Sequence, residues 1–267
     1  MKLLTLIIVA GLFGPLRSAD TWASWPQIKK AGVIRVATEG SFRPFNYIED
    51  KTFSGFEVEL VNAIAKKLGL KPEWSAHTFE SLLGGLSQHS YDLVAGSHAI
   101  TPERAKAVEF INPHYCTGAV IVTKAGTKGS LKALTGHILG VSVGTTYADR
   151  FKAMPRFKEI KVFADDKQAI EALSAGQIDA WVTDRFVGAA LLKAKPGANF
   201  DLGQMLFPEM IAMAVAKDER ELKDKINGAL AALVKDGTYL ALSRRYFNQD
   251  IGCQAHSGHR RTSRMGE

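Results

Sequence analysis

The feature that most constrains the fold is a repeated alternation between short β-branched runs and segments with helical periodicity. Val33–Thr38 alternates apolar and polar positions and is rich in β-branched residues, which predicts a strand. Phe56–Leu68 repeats apolar residues every four positions and stops at Gly69, which predicts an amphipathic helix. Strands that are separated by helices in this way favour parallel sheets with helical crossovers, the α/β class.

The same reasoning divides the rest of the chain. The other predicted strands are 73–76, 93–95, 119–122, 139–143, 161–163, 180–182 and 211–216. The other predicted helices are 27–32, 79–88, 130–134, 146–153, 166–175, 184–194, 219–235 and 237–247.

Two α/β units are therefore visible, and two helices remain at the C-terminal end. This surplus predicts that the chain returns to complete its first unit, crossing between lobes near 112–118 and again near 203–210. The predicted lobes are 24–115 plus 210–253, and 116–209. Two crossings form a hinge, and the cleft beside a hinge is the natural ligand site.

Both ends of the chain differ from its middle. Lys2 is followed by the apolar run 3–14, with no acidic residue before Asp20, which predicts an export signal in 1–23 that is cleaved near 19–23. The run is too short to span a bilayer, so we expect a periplasmic or otherwise extracytoplasmic product. The basic, polar segment 254–267 is predicted to be disordered.

The overall charge says little about nucleic acid. Part of the formal net charge of +7 lies in the two terminal segments, and a nucleic-acid site needs a clustered basic face. The chain has two cysteines, Cys116 and Cys253. An exported protein permits a disulfide between them, but two separate thiols are the alternative.

Residues 91–115 contain the first pattern that indicates a ligand-binding site. The apolar run 93–95 predicts a buried strand, and the chain then passes through small residues to Thr101 and Pro102, a favourable helix start. Arg104 follows on that first turn. A guanidinium beside the carboxyl end of a strand can clamp a carboxylate. The alternative is an exposed arginine at the start of a helix.

Several segments match a known family in order and spacing. They are 33–38, 44–45, 55–60, 91–93, 100–105, 110–113, 141–145 and 236–239. Together they resemble the periplasmic solute-binding proteins of polar amino-acid ABC transporters, the bacterial extracellular solute-binding proteins of family 3. The resemblance extends from about residue 27 to residue 253 and depends on the series, because no single motif is decisive.

The resemblance implies a two-lobed Venus flytrap, the type II periplasmic-binding-protein fold. It also implies a monomer without cofactor or metal that captures a free amino acid and delivers it to an ABC permease. By position, Arg104 is implied as the clamp for the α-carboxylate, with Thr145 and Thr146 adding donors from the second lobe. Asp184 is implied as the acceptor for the α-ammonium group, and Ser97 as a carbonyl beside it. The threonines and Asp184 could instead serve only as helix caps.

Four further residues bear on the ligand. Phe42 and Phe79 resemble the aromatic pair that encloses the ligand side chain, although both could be core aromatics. Ala99 stands where many relatives have serine or threonine, so one side-chain donor is absent. Glu39, if it reaches the cleft, would attract a cationic or amide group. We therefore expect a polar, possibly basic, amino acid, although Glu39 could also be a solvated loop residue.

Rival functions fit less well. Periplasmic dehydratases of the cyclohexadienyl or arogenate type resemble this family, but Val187 occupies the position that would be assigned to the catalytic acid, and an apolar side chain cannot donate a proton. The sequence also lacks the Gly-x-Ser-x-Gly and His-Glu-x-x-His motifs. We therefore expect a binding protein without catalytic residues. A ligand-sensing partner of a receptor is a third possibility.

Overall fold

The computed structural model describes residues 24–127, 129–152, 154–194, 197 and 199–253. The predictions for the leader 1–23 and the tail 254–267 lie outside these ranges. No helix in the described ranges is long and apolar enough to cross a membrane.

Helices and strands alternate along most of the chain. The strands are β1 (Val33–Thr38), β2 (Ser41–Phe42), β3 (Asn46–Glu49), β4 (Thr52–Ser54), β5 (Lys71–Ala76), β6 (Leu93–Val94), β7 (Val108–Phe110), β8 (Tyr115–Lys124), β9 (Ile138–Ser142), β10 (Glu159–Phe163), β11 (Ala180–Asp184), β12 (Phe200–Ile211) and β13 (Ala214–Ala216). The helices are α1 (Trp25–Ala31), α2 (Phe56–Leu68), α3 (Phe79–Ser87), α4 (Arg104–Ala107), α5 (Thr146–Lys152), α6 (Asp166–Ala175), α7 (Arg185–Ala194), α8 (Arg220–Lys235) and α9 (Thr238–Phe247).

Two five-stranded sheets form the two lobes. The first has the order β5-β1-β6-β13-β7 and the second the order β10-β9-β11-β8-β12. The helix-linked strands run parallel, as predicted: β5, β1 and β6 in the first sheet, and β10, β9 and β11 in the second. The strands β8, β12 and β13 run antiparallel to their neighbours, which the helix–strand alternation did not predict.

Two short connections join the sheets and lie side by side. Residues 111–114 lead from β7 to β8, and residues 212–213 lead from β12 back to β13. Backbone hydrogen bonds tie them together, because the N–H of Ile111 donates to the carbonyl of Met213 at 3.0 Å and that of His114 to Ile211 at 2.9 Å. A paired two-strand connection of this kind suits a hinge.

The C-terminal helices return to the first lobe and pack against α2. The Tyr246 hydroxyl donates to Glu59 at 2.5 Å, and Lys67 pairs with Asp236 at 2.7 Å. Cys116 and Cys253 form a disulfide, which confirms the predicted bridge and ties the start of β8 to the last described residues.

An aromatic cluster beneath the connections holds these elements together. Phe45 stacks on Tyr115 with ring centroids 4.5 Å apart and contacts Phe56 and Phe247 at 6.3 and 5.1 Å. These rings are fully or largely buried and join the β2–β3 turn, α2, β8 and α9. Aromatic pairs in such geometries stabilise a core beyond the area they bury.

Some local predictions were wrong. Residues 130–134 form a bend and turns rather than the predicted helix, in a segment bounded by Gly129 and Gly136. Residues 203–210 lie within β12, so the chain leaves the second sheet only after Ile211. That strand escaped prediction because Gly203 and Pro208 interrupt it, and its pairing register shifts twice between Leu202 and Phe207.

Candidate functional site

A cavity lies between the lobes, at the carboxyl ends of the parallel strands of both sheets. This is where open α/β sheets bind ligands. Its lining residues are Glu39, Phe42, Phe79, Gly96, Ser97, Ala99, Arg104, Ser142, Thr145, Thr146, Tyr147, Ala164, Asp166 and Glu209. Most of them directly follow β1, β5, β6, β9 or β10.

Arg104 reaches across the gap between the lobes. Its guanidinium donates to the carbonyl of Ala99 in its own lobe at 2.8 Å and to the carbonyl of Gly144 in the other lobe at 2.9 Å. Its helix, α4, begins two residues later than predicted, and the Thr101 hydroxyl accepts the backbone N–H of Arg104 at 3.1 Å. Burial lowers the pKa of Arg104 from its ordinary value. Arginine nevertheless remains charged in proteins, so the cleft contains a fixed cation.

Glu209 provides a charge of opposite sign close to Arg104. The hydroxyls of Thr146 and Tyr147 donate to its two carboxylate oxygens at 2.5 and 3.0 Å. Burial raises the pKa of Glu209, while the hydroxyls and the Arg104 charge act in the opposite direction. Arg104 and Glu209 therefore contribute groups of opposite charge to the same cavity, one from each lobe.

A pair of acidic groups lies elsewhere in the cavity. Glu39 follows β1 of the first lobe and Asp166 follows β10 of the second. Burial, and next the charge of Asp166, raise the pKa of Glu39 to about 7. Burial raises the pKa of Asp166 to about 6, although Ser142 and Thr183 donate hydrogen bonds to it at 2.5 and 2.9 Å. Two carboxyl groups that approach each other in this way favour a proton or a cation nearby.

Ser97 is held at the cavity wall by a buried carboxylate. Its φ of +54° lies in the left-handed region, which costs energy for a residue other than glycine. Glu57, fully buried, accepts the backbone N–H and the hydroxyl of Ser97 at 3.1 and 2.9 Å. The same carboxylate contacts Asn46 Nδ2 at 2.8 Å and Nε2 of His114, on the connection between lobes, at 2.9 Å. One buried group thus links the cavity wall to the hinge.

Aromatic rings form the apolar walls of the cavity. Phe42 and Phe79 both line it, and the Arg104 guanidinium lies 5.7 Å from the centroid of the Phe79 ring. Behind Phe79, the buried ring of His98 stacks at a centroid distance of 4.3 Å. Burial, and next the Arg104 charge, lower the pKa of His98 well below its ordinary value. His98 is therefore a neutral packing residue beneath the wall.

The chain is similar in sequence to known proteins. The family model of the bacterial extracellular solute-binding proteins, family 3, matches residues 34–249. The chain belongs to that family. The "Probable amino-acid-binding protein YxeM" of Bacillus subtilis (strain 168) is 32% identical over 258 residues, which cover 94% of this chain and 97% of that protein. The L-cystine-binding protein TcyJ of Escherichia coli (strain K12) is 28% identical over 94% of this chain and 95% of its own length.

A solved structure, an ancestral arginine-binding protein bound to arginine, is also similar. It is 36% identical in sequence, and the match covers 81% of this chain and 98% of that chain with a TM-score of 0.77. The type II periplasmic-binding-protein fold predicted for this family 3 protein is thereby confirmed. All three relatives are named as binding proteins and none as an enzyme, in agreement with the prediction. Val187, at the position considered for a catalytic acid, is buried in the core.

Eight of the nine ligand residues predicted for this solute-binding protein line the cavity; they are Glu39, Phe42, Phe79, Ser97, Ala99, Arg104, Thr145 and Thr146. Asp184 is not among the lining residues. It is only 2% exposed, and its carboxylate accepts the backbone N–H of Phe186 at 2.7 Å, as a cap at the start of α7. Burial raises its pKa to about 7, and the charge of Glu209 acts in the same direction.

The threonines have local partners as well. The Thr145 hydroxyl donates to the carbonyl of Ser142 at 2.6 Å and accepts the N–H of Ala148 at 3.1 Å, which caps α5. The Thr146 hydroxyl donates to Glu209 rather than remaining available for an incoming carboxylate. Their roles as ligand donors remain predictions.

Sequence reasoning missed two acidic residues, Asp166 and Glu209. Asp166 had a readable signal, because it starts a helix directly after the carboxyl end of β10, as Arg104 follows β6. Glu209 had no such signal in the sequence, since it lies in β12, the strand that was not predicted. Within the described ranges no cluster of three or more His, Cys, Asp and Glu side chains is arranged to hold a metal ion.

Proposed function

We propose that this solute-binding protein captures a free amino acid with a cationic side chain in the cleft between its lobes and delivers it to an ABC permease. The observation that carries the proposal is the charge of the cavity: one guanidinium, Arg104, faces three carboxyl groups, those of Glu39, Asp166 and Glu209. An α-amino acid whose side chain is neutral would leave acidic groups of this site without a counter-charge.

The charges divide the cavity into two ends. Glu209 and Asp149 are the foremost charges acting on Arg104, whereas Asp166 and Asp165 are those acting on Glu39. We infer that the α-carboxylate of the ligand binds at the Arg104 end. The distal ammonium or guanidinium then lies between Glu39 and Asp166, with the methylene groups along Phe42 and Phe79.

Ligand capture is linked to closure of the cleft. Each end of the cavity takes one charged side chain from each lobe, so the site is complete only when the lobes are together. A ligand that contacts both lobes binds the closed state better and therefore shifts the population towards it. In this proposal the two predicted lobes, with their second boundary moved from 209–210 to the end of β12 at Ile211, move about the paired connections.

The relatives support the substrate class and the transport role. One is named as an amino-acid-binding protein, one as an L-cystine-binding protein, and the structure contains arginine. We propose that the leader 1–23 exports the chain, and that the mature protein acts as an extracytoplasmic monomer in partnership with a permease.

A thermal-shift screen tests the proposal. Purified mature protein is heated with each of the twenty common amino acids, ornithine and citrulline. A ligand at a hundred times its Kd stabilises the folded state by about 2.7 kcal/mol, which raises the melting temperature by about 5 to 10 °C for a domain of this size. We expect arginine, lysine or ornithine to produce such a shift.

Citrulline is the matched control for arginine, because it has nearly the same shape without the side-chain charge. An equal shift with both would contradict the proposed cationic ligand while leaving amino-acid capture intact. No shift with any amino acid would overturn the proposed function.

A further inference from the structure

We propose that His114, a residue outside the cavity, is a positioning residue for ligand binding. Through the buried carboxylate of Glu57, it couples the hinge to the two cavity loops that carry Ser97 and Glu39. The inference rests on the proposed function and adds to it the path by which movement of the lobes reaches the ligand. It depends on three observations: the donors around Glu57, the loops that this carboxylate holds, and the place of His114 in the hinge.

The first observation concerns the donors around Glu57. An ionised carboxylate has about four lone-pair sites and can only accept hydrogen bonds. Oε1 contacts the Ser97 N–H at 3.1 Å and Nε2 of His114 at 2.9 Å, so Nε2 is the donor of that pair. Oε2 accepts the Ser97 hydroxyl at 2.9 Å and Asn46 Nδ2 at 2.8 Å. All four sites are filled and the His114 and Glu57 side chains are fully buried, so the loss of one donor leaves a buried oxygen short of a partner.

The second observation concerns the two loops that Glu57 holds. Ser97 lines the cavity with a φ of +54°, and its two hydrogen bonds to Glu57 offset the cost of that left-handed conformation. Asn46 extends the restraint to the other loop, because its Oδ1 accepts the N–H of Gly40 at 3.2 Å. Gly40 directly follows Glu39, which also lines the cavity. A shift of the Glu57 carboxylate therefore displaces both loops together.

The third observation concerns the place of His114 in the hinge. His114 is the last residue of the first connection, 111–114. Its N–H donates to the carbonyl of Ile211, at the end of β12 in the second sheet, at 2.9 Å. Its own carbonyl accepts the hydroxyl of Tyr239, in α9 of the first lobe, at 2.5 Å. Because the backbone of His114 is attached to both lobes, rotation about the connections reorients its ring and thereby the donor to Glu57.

A purely structural role for His114 makes a different prediction. Removal of a hydrogen bond that serves only the core lowers the melting temperature, but it leaves ligand affinity unchanged at temperatures where the protein is folded. Removal of a positioning hydrogen bond lowers the affinity as well, and a side chain that restores the donor recovers it. Rescue of affinity by a conservative variant therefore separates the two roles.

The experiment measures the affinity for L-arginine and L-lysine by isothermal titration calorimetry, well below the melting temperature of each variant. His114→Leu removes the donor and keeps an apolar side chain in the core. His114→Gln supplies an amide N–H in place of Nε2–H. Thr123→Val is the matched control, because it removes a buried hydroxyl that donates to the carbonyl of Thr127 at 3.1 Å, at the end of β8 far from the hinge.

We expect His114→Leu to weaken binding by about 3- to 30-fold, the range for mutations that alter coupling without touching a ligand. His114→Gln should recover most of that loss, and Thr123→Val should bind as the wild type does. Ser97→Ala removes a second donor to the same carboxylate, so its effect combined with His114→Leu should be smaller than the product of the two single effects. Tyr239→Phe, which releases the His114 carbonyl, should weaken binding by a smaller factor and provides the test if His114→Leu does not fold.

Three results would overturn the inference: wild-type affinity in His114→Leu, an equal loss in His114→Leu and His114→Gln, or single effects of His114→Leu and Ser97→Ala that multiply fully in the double variant. Failure of the wild type to bind any amino acid would instead count against the proposed function, so the two failures are distinguishable.

Discussion

The two ends of the cavity are built in the same way but differ in the signs of their charges. Each end pairs one side chain from the first lobe with one from the second. At one end the pair is Arg104 and Glu209, of opposite sign, and at the other it is Glu39 and Asp166, of like sign. Closure of the empty cleft is therefore favoured at the first end and opposed at the second. In the proposed function, a cationic side chain of the ligand between Glu39 and Asp166 would offset this repulsion.

The largest expected effect comes from breaking the oppositely charged end. Arg104→Met removes the cation that is proposed to clamp the α-carboxylate of the ligand, so that carboxylate would be buried without its counter-charge. Loss of one partner of a buried charge pair typically costs 2–5 kcal/mol, so affinity for the amino acid should fall by about thirty- to several-thousand-fold. Calorimetric titration measures this. Arg220→Met, at the exposed start of α8, is the control and should bind as the wild type does.

The next test concerns Glu57, which holds Ser97 at the cavity wall of the first lobe. Glu57→Ala would leave Asn46 and both donors of Ser97 without their buried acceptor. Each buried polar group without a partner costs about 1–3 kcal/mol, so we expect the free energy of unfolding to fall by roughly 3 kcal/mol. Urea denaturation provides the measurement, and Glu73→Ala on exposed β5 is the control. A loss below 1 kcal/mol would show that the network is not needed to hold Ser97.

A smaller effect should follow from obstructing closure next to Arg104. Gly144 has a φ of +71°, and a Cβ there would lie 3.1 Å from the backbone Cα of Glu80 in the other lobe. Overpacking of this kind typically costs 1–3 kcal/mol, so Gly144→Ala should weaken binding by about 5- to 150-fold.

Gly136 provides the matched control for that variant. Its φ is +79°, and nothing lies within 4 Å of the Cβ position. Gly136→Ala therefore introduces the same backbone strain without touching the opposite lobe, and its affinity should remain that of the wild type. If both variants weakened binding equally, close approach at Gly144 would not be the cause.

The smallest expected effect is the pH dependence of the like-charged end. The pKa of Glu39 is raised to about 7 and that of Asp166 to about 6, so both carboxyl groups are largely neutral below pH 5 and ionised above pH 7. Because their folded-state pKa values are raised, their ionisation lowers the stability of the empty protein as the pH rises to about 7. A cationic ligand benefits from the same ionisation.

We therefore expect the affinity for arginine or lysine to rise between pH 6 and pH 8, by at most about tenfold from the ionisation of Glu39 and about twofold from that of Asp166. The affinity for citrulline should change less, and Asp166→Asn should flatten the arginine curve. Titrations across this range, in buffers of different ionisation enthalpy, measure both the affinity and the protons released. An affinity that falls with rising pH would contradict the assignment of this end to the ligand cation.

The sequence by itself determined the α/β class, most helices and strands, and the positions of several cavity residues. This was possible because periodicity reports which face of an element is buried, and because Arg104 follows a strand at the edge where such sheets bind ligands. The resemblance to the family implied the other cavity residues. The disulfide between Cys116 and Cys253 remained one of two possibilities until the structure brought the cysteines together.

Only the tertiary structure decided which carboxyl groups line the cavity. Asp184 and Glu209 are both acidic residues near the ends of strands, yet the first caps a helix and the second lines the cavity. Glu57 has the sequence position of an ordinary acid in the first turn of a helix, but it lies at the centre of a buried network. These differences depend on strand register and on how two lobes meet, and such contacts between distant segments leave no mark on local sequence pattern.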